Sequence, residues 1–222
     1  MQNRQIIEPK RSIDVIHETD VLVVGSGPGG LSAAIAAARC GVKTTLLERF
    51  GCFGGNITVV GVEGFAWYRH EKTVEAGGIG REFEELAKEM GAAVPESQSL
   101  SYELDSEGFK LVADKLVMDS GIHPMLHRSF SMPIMEGNTI IGVIVESKAG
   151  REAILSKVVI DATGDADVAF RAGAQLNTMP VEELMATSVM FHLAGVDKKA
   201  FLSEIQNNPQ SYKDWSDSEW EV

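Results

Sequence analysis

The amino-acid sequence predicts an α/β fold with a parallel central sheet and an antiparallel three-stranded meander, from three observations. Asp20 to Glu48 reads as strand, glycine turn, helix, strand. From His123 to Ser156 come short strand-like stretches broken by turn residues. A last apolar strand, Val158-Val159-Ile160, then runs into a second turn motif, Asp161-Ala162-Thr163-Gly164-Asp165. Strands alternating with helical stretches are the pattern of parallel βαβ units.

The first unit carries the most information. Val21 to Val24 is an apolar run suited to a buried parallel strand. Gly25, Gly27 and Gly30 follow as G-x-G-x-x-G, with Pro28 and Gly29 inside the motif. Gly25 permits the tight turn, Gly27 has no Cβ to hold a pyrophosphate away, and Gly30 lets the next helix lie close to the sheet. Leu31 to Arg39 is Ala-rich and helical, and Gly41 ends it in the left-handed conformation. Val42 to Leu47 is the next strand, with Glu48 at its end, 18 residues beyond Gly30. A carboxylate there accepts hydrogen bonds from ribose hydroxyls, while the helix N-terminus faces the phosphates. A Rossmann-like dinucleotide site follows.

Directly after Glu48, Gly51, Gly54 and Gly55 form a second glycine-rich turn. It leaves the sheet edge where ligands bind, so its backbone N–H groups are candidates for phosphate contact. Arg49 either neutralises phosphate or caps the strand. Cys52 is read as a small packing residue.

Composition bounds the alternatives. The 222 residues are 44% hydrophobic and 23% charged, ordinary for a globular chain. A formal net charge of −12 argues against a nucleic-acid surface and against an anionic membrane. Cys40 and Cys52 form neither a disulfide framework nor a C-x-x-C pair. With no signal-like or membrane-spanning run, a cytoplasmic protein is expected. No metal-ligand spacing is found, and His123 and His127 are read as ordinary strand histidines.

Taken together, DVLVVGSGPGGLSAAIAAARCG, LLERFGCFGGN and VVIDATGDADVAFRAGA resemble the FAD-dependent oxidoreductases of the glutathione-reductase type. More narrowly, they resemble the single-Rossmann flavoproteins related to the thiazole-biosynthesis and heterodisulfide-reductase A proteins. The resemblance spans roughly residues 10–195. It implies FAD as cofactor, with Gly25, Gly27, Pro28, Gly29 and Gly30 at the pyrophosphate and Glu48 at the adenosine ribose. It sets Gly54-Gly55-Asn56 beside the pyrophosphate and ribityl chain. Arg128 to Met132 runs beside the adenine, with backbone contact from Phe130. Ala162, Thr163 and Gly164 return the chain to the cofactor. Asp165 either approaches the ribityl or pyrophosphate, caps the helix that follows, or does both. Two departures matter: Asn56 to Gly64 holds no redox cysteine pair, and no iron–sulfur cysteine cluster is present.

Residues 1–19 form a polar arm, with His17 at the surface. Residues 61–78 form a long glycine-bounded loop in which Trp67, Tyr68, Arg69 and His70 stand together. Arg69 can hold a carboxylate, and His70 or Tyr68 can move a proton; otherwise the loop is packed by its own aromatics. A helical insertion spans about 79–120, its first helix showing Arg81, Glu84, Glu85 and Lys88 to solvent. Gly91 to Asp105 is a polar loop. Met185 to Ala194 is read as a strand holding a core histidine, His192, and Lys199 to Asn207 as a short helix.

The domains expected are a FAD-binding Rossmann-like domain, 1–174, and the start of a substrate domain, 175–222. The resembled enzymes are roughly twice this length, which implies a second subunit or a C-terminal half as partner, besides a small-molecule substrate. Three activities stay open: an FAD-dependent oxidoreductase moving a hydride through flavin N5, an NAD(P)-dependent dehydrogenase, and a non-catalytic FAD-binding subunit. The second glycine loop and the ATG turn count against the dehydrogenase.

Overall fold

The structure, a computed structural model, describes residues 5–65, 69–70, 74–75, 77–95 and 101–208. The chain divides into two compact units, Met1–Ala186 and Thr187–Val222.

In the first unit six strands form one sheet. Its parallel part is β7 (His123–Met125), β2 (Thr44–Leu47), β1 (Val15–Val24) and β10 (Gly150–Asp161). The meander is β8 (Ser129–Glu136), β9 (Thr139–Ser147) and β10, all antiparallel. The stretches REAILS and KVVID are one continuous strand. β10 pairs with β9 through its first half and with β1 along most of its length, so it joins the meander to the parallel sheet.

Helices α1 (Pro28–Arg39), α2 (Ile79–Glu89) and α3 (Ser106–Asp119) pack together with one face of the sheet. Leu31, Ala34 and Ile35 of α1, Phe83 of α2 and Phe109, Val112 and Val117 of α3 are buried there. Phe109 meets Phe65 and Phe83 edge-on, with centroids 6.3 Å away in both cases. On the other side Leu22, Val24, Val143, Val145 and Ile154 pack with Val168 of α4 (Asp167–Arg171). This alternation of Leu22 and Val24 against Val23 follows from the period of two along a strand buried on both faces.

The polar arm is shorter than its composition suggests. Residues 15–20 extend β1, because β10 is long enough to pair with them from Val15↔Ala153 onward. His17 is accordingly half-buried. Its Nε2 lies 2.9 Å from Thr45 Oγ1, and its ring stacks on His123 with centroids 4.4 Å apart. The polar loop 91–105 contains a small ribbon, β5 (Ala93–Pro95) with β6 (Tyr102–Leu104). The charged face of α2 is not all solvated: Glu84 is 1% exposed and accepts from Lys88 Nζ at 2.5 Å. A second ribbon pairs β3 (Arg69–His70) with β4 (Val74–Glu75).

In the second unit α5 (Lys198–Asn207) begins at Asp197, whose carboxylate accepts from Lys199 N–H and Ala200 N–H. Residues 185–194, expected as a strand, join no sheet, and His192 is exposed rather than in a core. A strand needs a neighbour to satisfy its backbone, and none of the described residues provides one. No helix among the described residues is long and apolar enough to cross a membrane.

The His17–His123 stack has a consequence for stability. Burial, then the neighbouring His123 and Lys43, hold the His17 imidazole below its ordinary value of 6.5. A histidine depressed in the folded state binds protons more readily when unfolded. Its contribution is therefore complete above about pH 6.5 and is lost as pH falls through the folded value. Thermal melts are expected to show Tm falling as pH drops below that range, and His17→Gln to flatten that slope.

Candidate functional site

Three turns meet at the carboxyl edge of the parallel strands. β1 ends at Gly25, with φ +97°, where a Cβ would stand 2.3 Å from the Ala162 carbonyl oxygen. At Gly30 a Cβ would lie 1.9 Å from the Gly25 carbonyl oxygen and 3.2 Å from the Ala162 methyl. Ala162 N–H donates to Val24 O at 2.9 Å. The ATG turn and the first glycine turn therefore touch through backbone. The second glycine loop lies on the first: Gly54 N–H donates to Ser26 O at 2.9 Å, and a Cβ on Gly55 would be 2.6 Å from Gly27 Cα.

Gly27 and Gly29 are different. A Cβ at either position would meet nothing within 4 Å. The space above them is open, and α1 starts there with Gly27 as N-cap and Pro28 as its first residue. Pro28 has no N–H, so Gly29 and Gly30 present the N–H groups that a helix start leaves without an intrahelical acceptor. No acid occupies the first turn. Open space, free donors and the positive helix end together fit a pyrophosphate.

Glu48 is held rather than free. It is 6% exposed, and its Oε2 accepts from Ser26 N–H at 2.9 Å and Ser26 O–H at 2.5 Å. Its Oε1 accepts from Phe50 N–H at 2.9 Å. Backbone bonds then tie this strand end to the next: Glu48 N–H to Met125 O, Arg128 N–H to Glu48 O, and His127 N–H to Phe50 O, at 2.9–3.1 Å. Met125 and His127 were not among the candidates read from sequence. His127 adopts φ 55°, and its ring covers Gly51, where a Cβ would come 2.7 Å from Cε1. A non-glycine residue in that conformation leaves no mark in the sequence.

Arg49 is exposed, its guanidinium 4.7 Å from the centre of the Phe50 ring. Asn56 is exposed and opens a short π-helix, Asn56–Val60. Cys52 is half-buried with its sulfur 3.9 Å from Thr58 Oγ1. Phe130 lies in β8 opposite Val145 and packs against the core on the α4 side. Gly164 and Asp165 are exposed. Asp165 is not the cap of α4, whose N-cap position is Ala166 at φ 58°. Asp161 performs that task, with Oδ2 accepting from Ala169 N–H at 2.9 Å and Oδ1 from Thr163 O–H at 2.7 Å. Thr163 Oγ1 in turn accepts from Asp167 N–H. The backbones of Arg69 and His70 are in β3; Trp67 and Tyr68 lie outside the described residues.

A groove of about 430 Å³ is lined by Arg39, Glu82, Glu85, Glu89, Asp119 and neighbours. It lies along α2 and beside the C-terminal ends of α1 and α3, and its acids do not suit an anionic ligand. No group of three or more His, Cys, Asp or Glu among the described residues could hold a metal ion.

A parallel sheet whose central strand enters a glycine turn and a helix N-terminus, with a carboxylate on the neighbouring strand, defines the Rossmann-type dinucleotide-binding proteins. The chain belongs to the FAD dependent oxidoreductase family, which it matches over residues 20–222, and FAD is the cofactor of that family. It is similar to the thiamine thiazole synthase of Metallosphaera sedula, 32% identical over 160 residues, 67% of this chain and 55% of the relative. The thiamine thiazole synthase of Saccharolobus solfataricus is 33% identical over 162 residues, 68% of this chain and 57% of the relative. The chain thus spans about half the length of the curated relatives it matches. Among solved structures, THI4 of Thermovibrio ammonificans aligns with a TM-score of 0.51 and 22% identity, covering 69% of this chain and 61% of that one. A geranylgeranyl bacteriochlorophyll reductase-like protein of Thermoplasma acidophilum aligns with a TM-score of 0.52 and 21% identity, covering 72% and 43%. Both likenesses show the fold.

The contrast between Gly27 and Gly30 is testable. Gly30→Ala is expected to cost about 3 kcal/mol or more in urea denaturation, because backbone must move to admit the methyl. Gly27→Val is expected to change stability by no more than about 1 kcal/mol while abolishing FAD retention. Normal FAD content in Gly27→Val counts against the placement.

Proposed function

We propose that this chain is the cofactor-holding part of an FAD-dependent oxidoreductase that passes a hydride to or from a small molecule. The observation that supports it is the open edge over Gly27, walled by two glycine turns and the ATG turn, with helix N–H groups aimed into it. When bound, FAD supplies two-electron chemistry at flavin N5. The chain binds and orients. Gly29 and Gly30 N–H groups receive the pyrophosphate, Glu48 accepts from the adenosine ribose, and Gly54, Gly55, Asn56, Ala162, Thr163 and Gly164 wall the site. Asp165 is exposed at the rim, and Phe130 lies on the adenine side. Arg69, His70 and Tyr68 are the candidates to meet the substrate, Arg for a carboxylate and His or Tyr for a proton. Residues 1–174 form the cofactor domain and 175–222 begin a substrate region, completed by a second subunit or a further C-terminal segment. The free cysteines Cys40 and Cys52 suit a reducing, cytoplasmic compartment. The identity to relatives named thiamine thiazole synthase favours, as a second reading, a thiazole-forming activity.

Incubation of the purified chain with FAD, then desalting and a visible spectrum, tests the first reading. One bound flavin per chain, bleached by dithionite, is expected. A colourless protein that retains NADH overturns it in favour of the dehydrogenase. Appearance of a thiazole product by mass spectrometry selects the second reading.

A further inference from the structure

We propose that Ser26 is a positioning residue that commits Glu48 to a single ribose hydroxyl. The proposal rests on the FAD-site reading above. Ser26 occupies the variable position between Gly25 and Gly27, and it is fully buried, so its hydroxyl does not meet a ligand itself. Both its N–H and its O–H donate to Glu48 Oε2, at 2.9 and 2.5 Å. Among the described residues, Oε1 accepts only from Phe50 N–H. Each carboxylate oxygen offers two acceptor sites. Oε2 is therefore filled from within the protein, and Oε1 retains one site.

A ribose presents two adjacent hydroxyls. In this arrangement one of them finds an acceptor on Glu48 and the other does not. The Ser26 hydroxyl sets this outcome in two ways. It occupies the second site on Oε2, and its short bond fixes the rotation of the carboxyl group. A buried carboxylate needs such donors to offset its loss of water, which explains a hydroxyl at a position where the loop geometry alone would accept alanine.

The test uses the whole 222-residue chain and three probes: ADP, 2′-deoxy-ADP and 3′-deoxy-ADP, with affinities measured by calorimetry. In the unmutated chain, one deoxy analogue is expected to bind about tenfold or more weakly than ADP, and the other within about twofold of it. Ser26→Ala is expected to bring the two analogues within about twofold of one another. Equal losses for both analogues in the unmutated chain overturn the single-hydroxyl assignment. Equal weakening of all three nucleotides by Ser26→Ala, with the ratio between analogues kept, makes Ser26 merely structural and overturns its positioning role. No binding of ADP, or indifference to both hydroxyls, removes the FAD-site reading beneath the proposal. If Ser26→Ala does not fold, Ser26→Gly removes the same hydroxyl without added volume, and the analogue pair on the unmutated chain still decides the single-hydroxyl limit.

Discussion

Everything at the binding edge depends on one close approach, where Gly25, Gly30 and Ala162 come together with no room for a side chain between them. β1 and β10 are neighbours in the sheet, and they leave it at the same edge. Because Gly30 sits against the Gly25 carbonyl, α1 starts hard against the end of β1. That seats Leu31, Ala34 and Ile35 at 0% exposure against the sheet and aims the first helical N–H groups over its edge. Core packing and the free N–H groups at the helix start are thus two results of the same contact. A methyl group there would tilt the helix away and weaken both, whereas one at Gly27 meets nothing within 4 Å.

Glu48 supplies the second constraint. Burying a carboxylate costs several kcal/mol unless donors replace the lost water. Ser26 and Phe50 provide three such donors, from both sides of the strand end. The backbone of Glu48 is also bonded to Met125 and Arg128. A single residue therefore joins the ends of β1, β2 and β7. The acid that reads from sequence as a ligand for ribose is also a structural anchor for the edge where the ribose is expected.

The sequence made the centre of this arrangement legible because glycine and alternating apolar runs report on backbone directly. Gly25, Gly30 and Gly55 stand at close backbone approaches, Gly54 against the Thr58 side chain, and Gly27 at open space. What was not legible has a common cause. His127 and Ala166 take left-handed conformations without being glycine, so nothing marks them. Asp161 caps α4 from eight residues away, while the nearer Asp165 satisfies the usual local rule and does not cap. Residues 15–20 look like a polar arm until β10 is seen to be long enough to pair with them. Local propensity loses in each case to a partner distant in sequence. The ribbon carrying Arg69 and His70 falls between these extremes, since its glycine boundaries were visible and its pairing was not.

Net charge poses the remaining physical question, because a chain of formal charge −12 is assigned an anionic cofactor. The general repulsion is weak at contact range, since charges more than about 8 Å away are largely screened at physiological salt. Within that radius the balance reverses. The first turn of α1 carries no acid, although acids are the usual choice there, and so its positive end is left for a ligand. Glu48 is turned toward Ser26 and Phe50, whose donors offset its charge locally. In the proposed site, backbone N–H groups take the part that lysine or arginine takes elsewhere. Because they are fixed by the fold, they need no side-chain ordering when the ligand arrives. The acidic surface and the proposed anion site are compatible for that reason: one acts at long range and is screened, and the other acts at contact and is not.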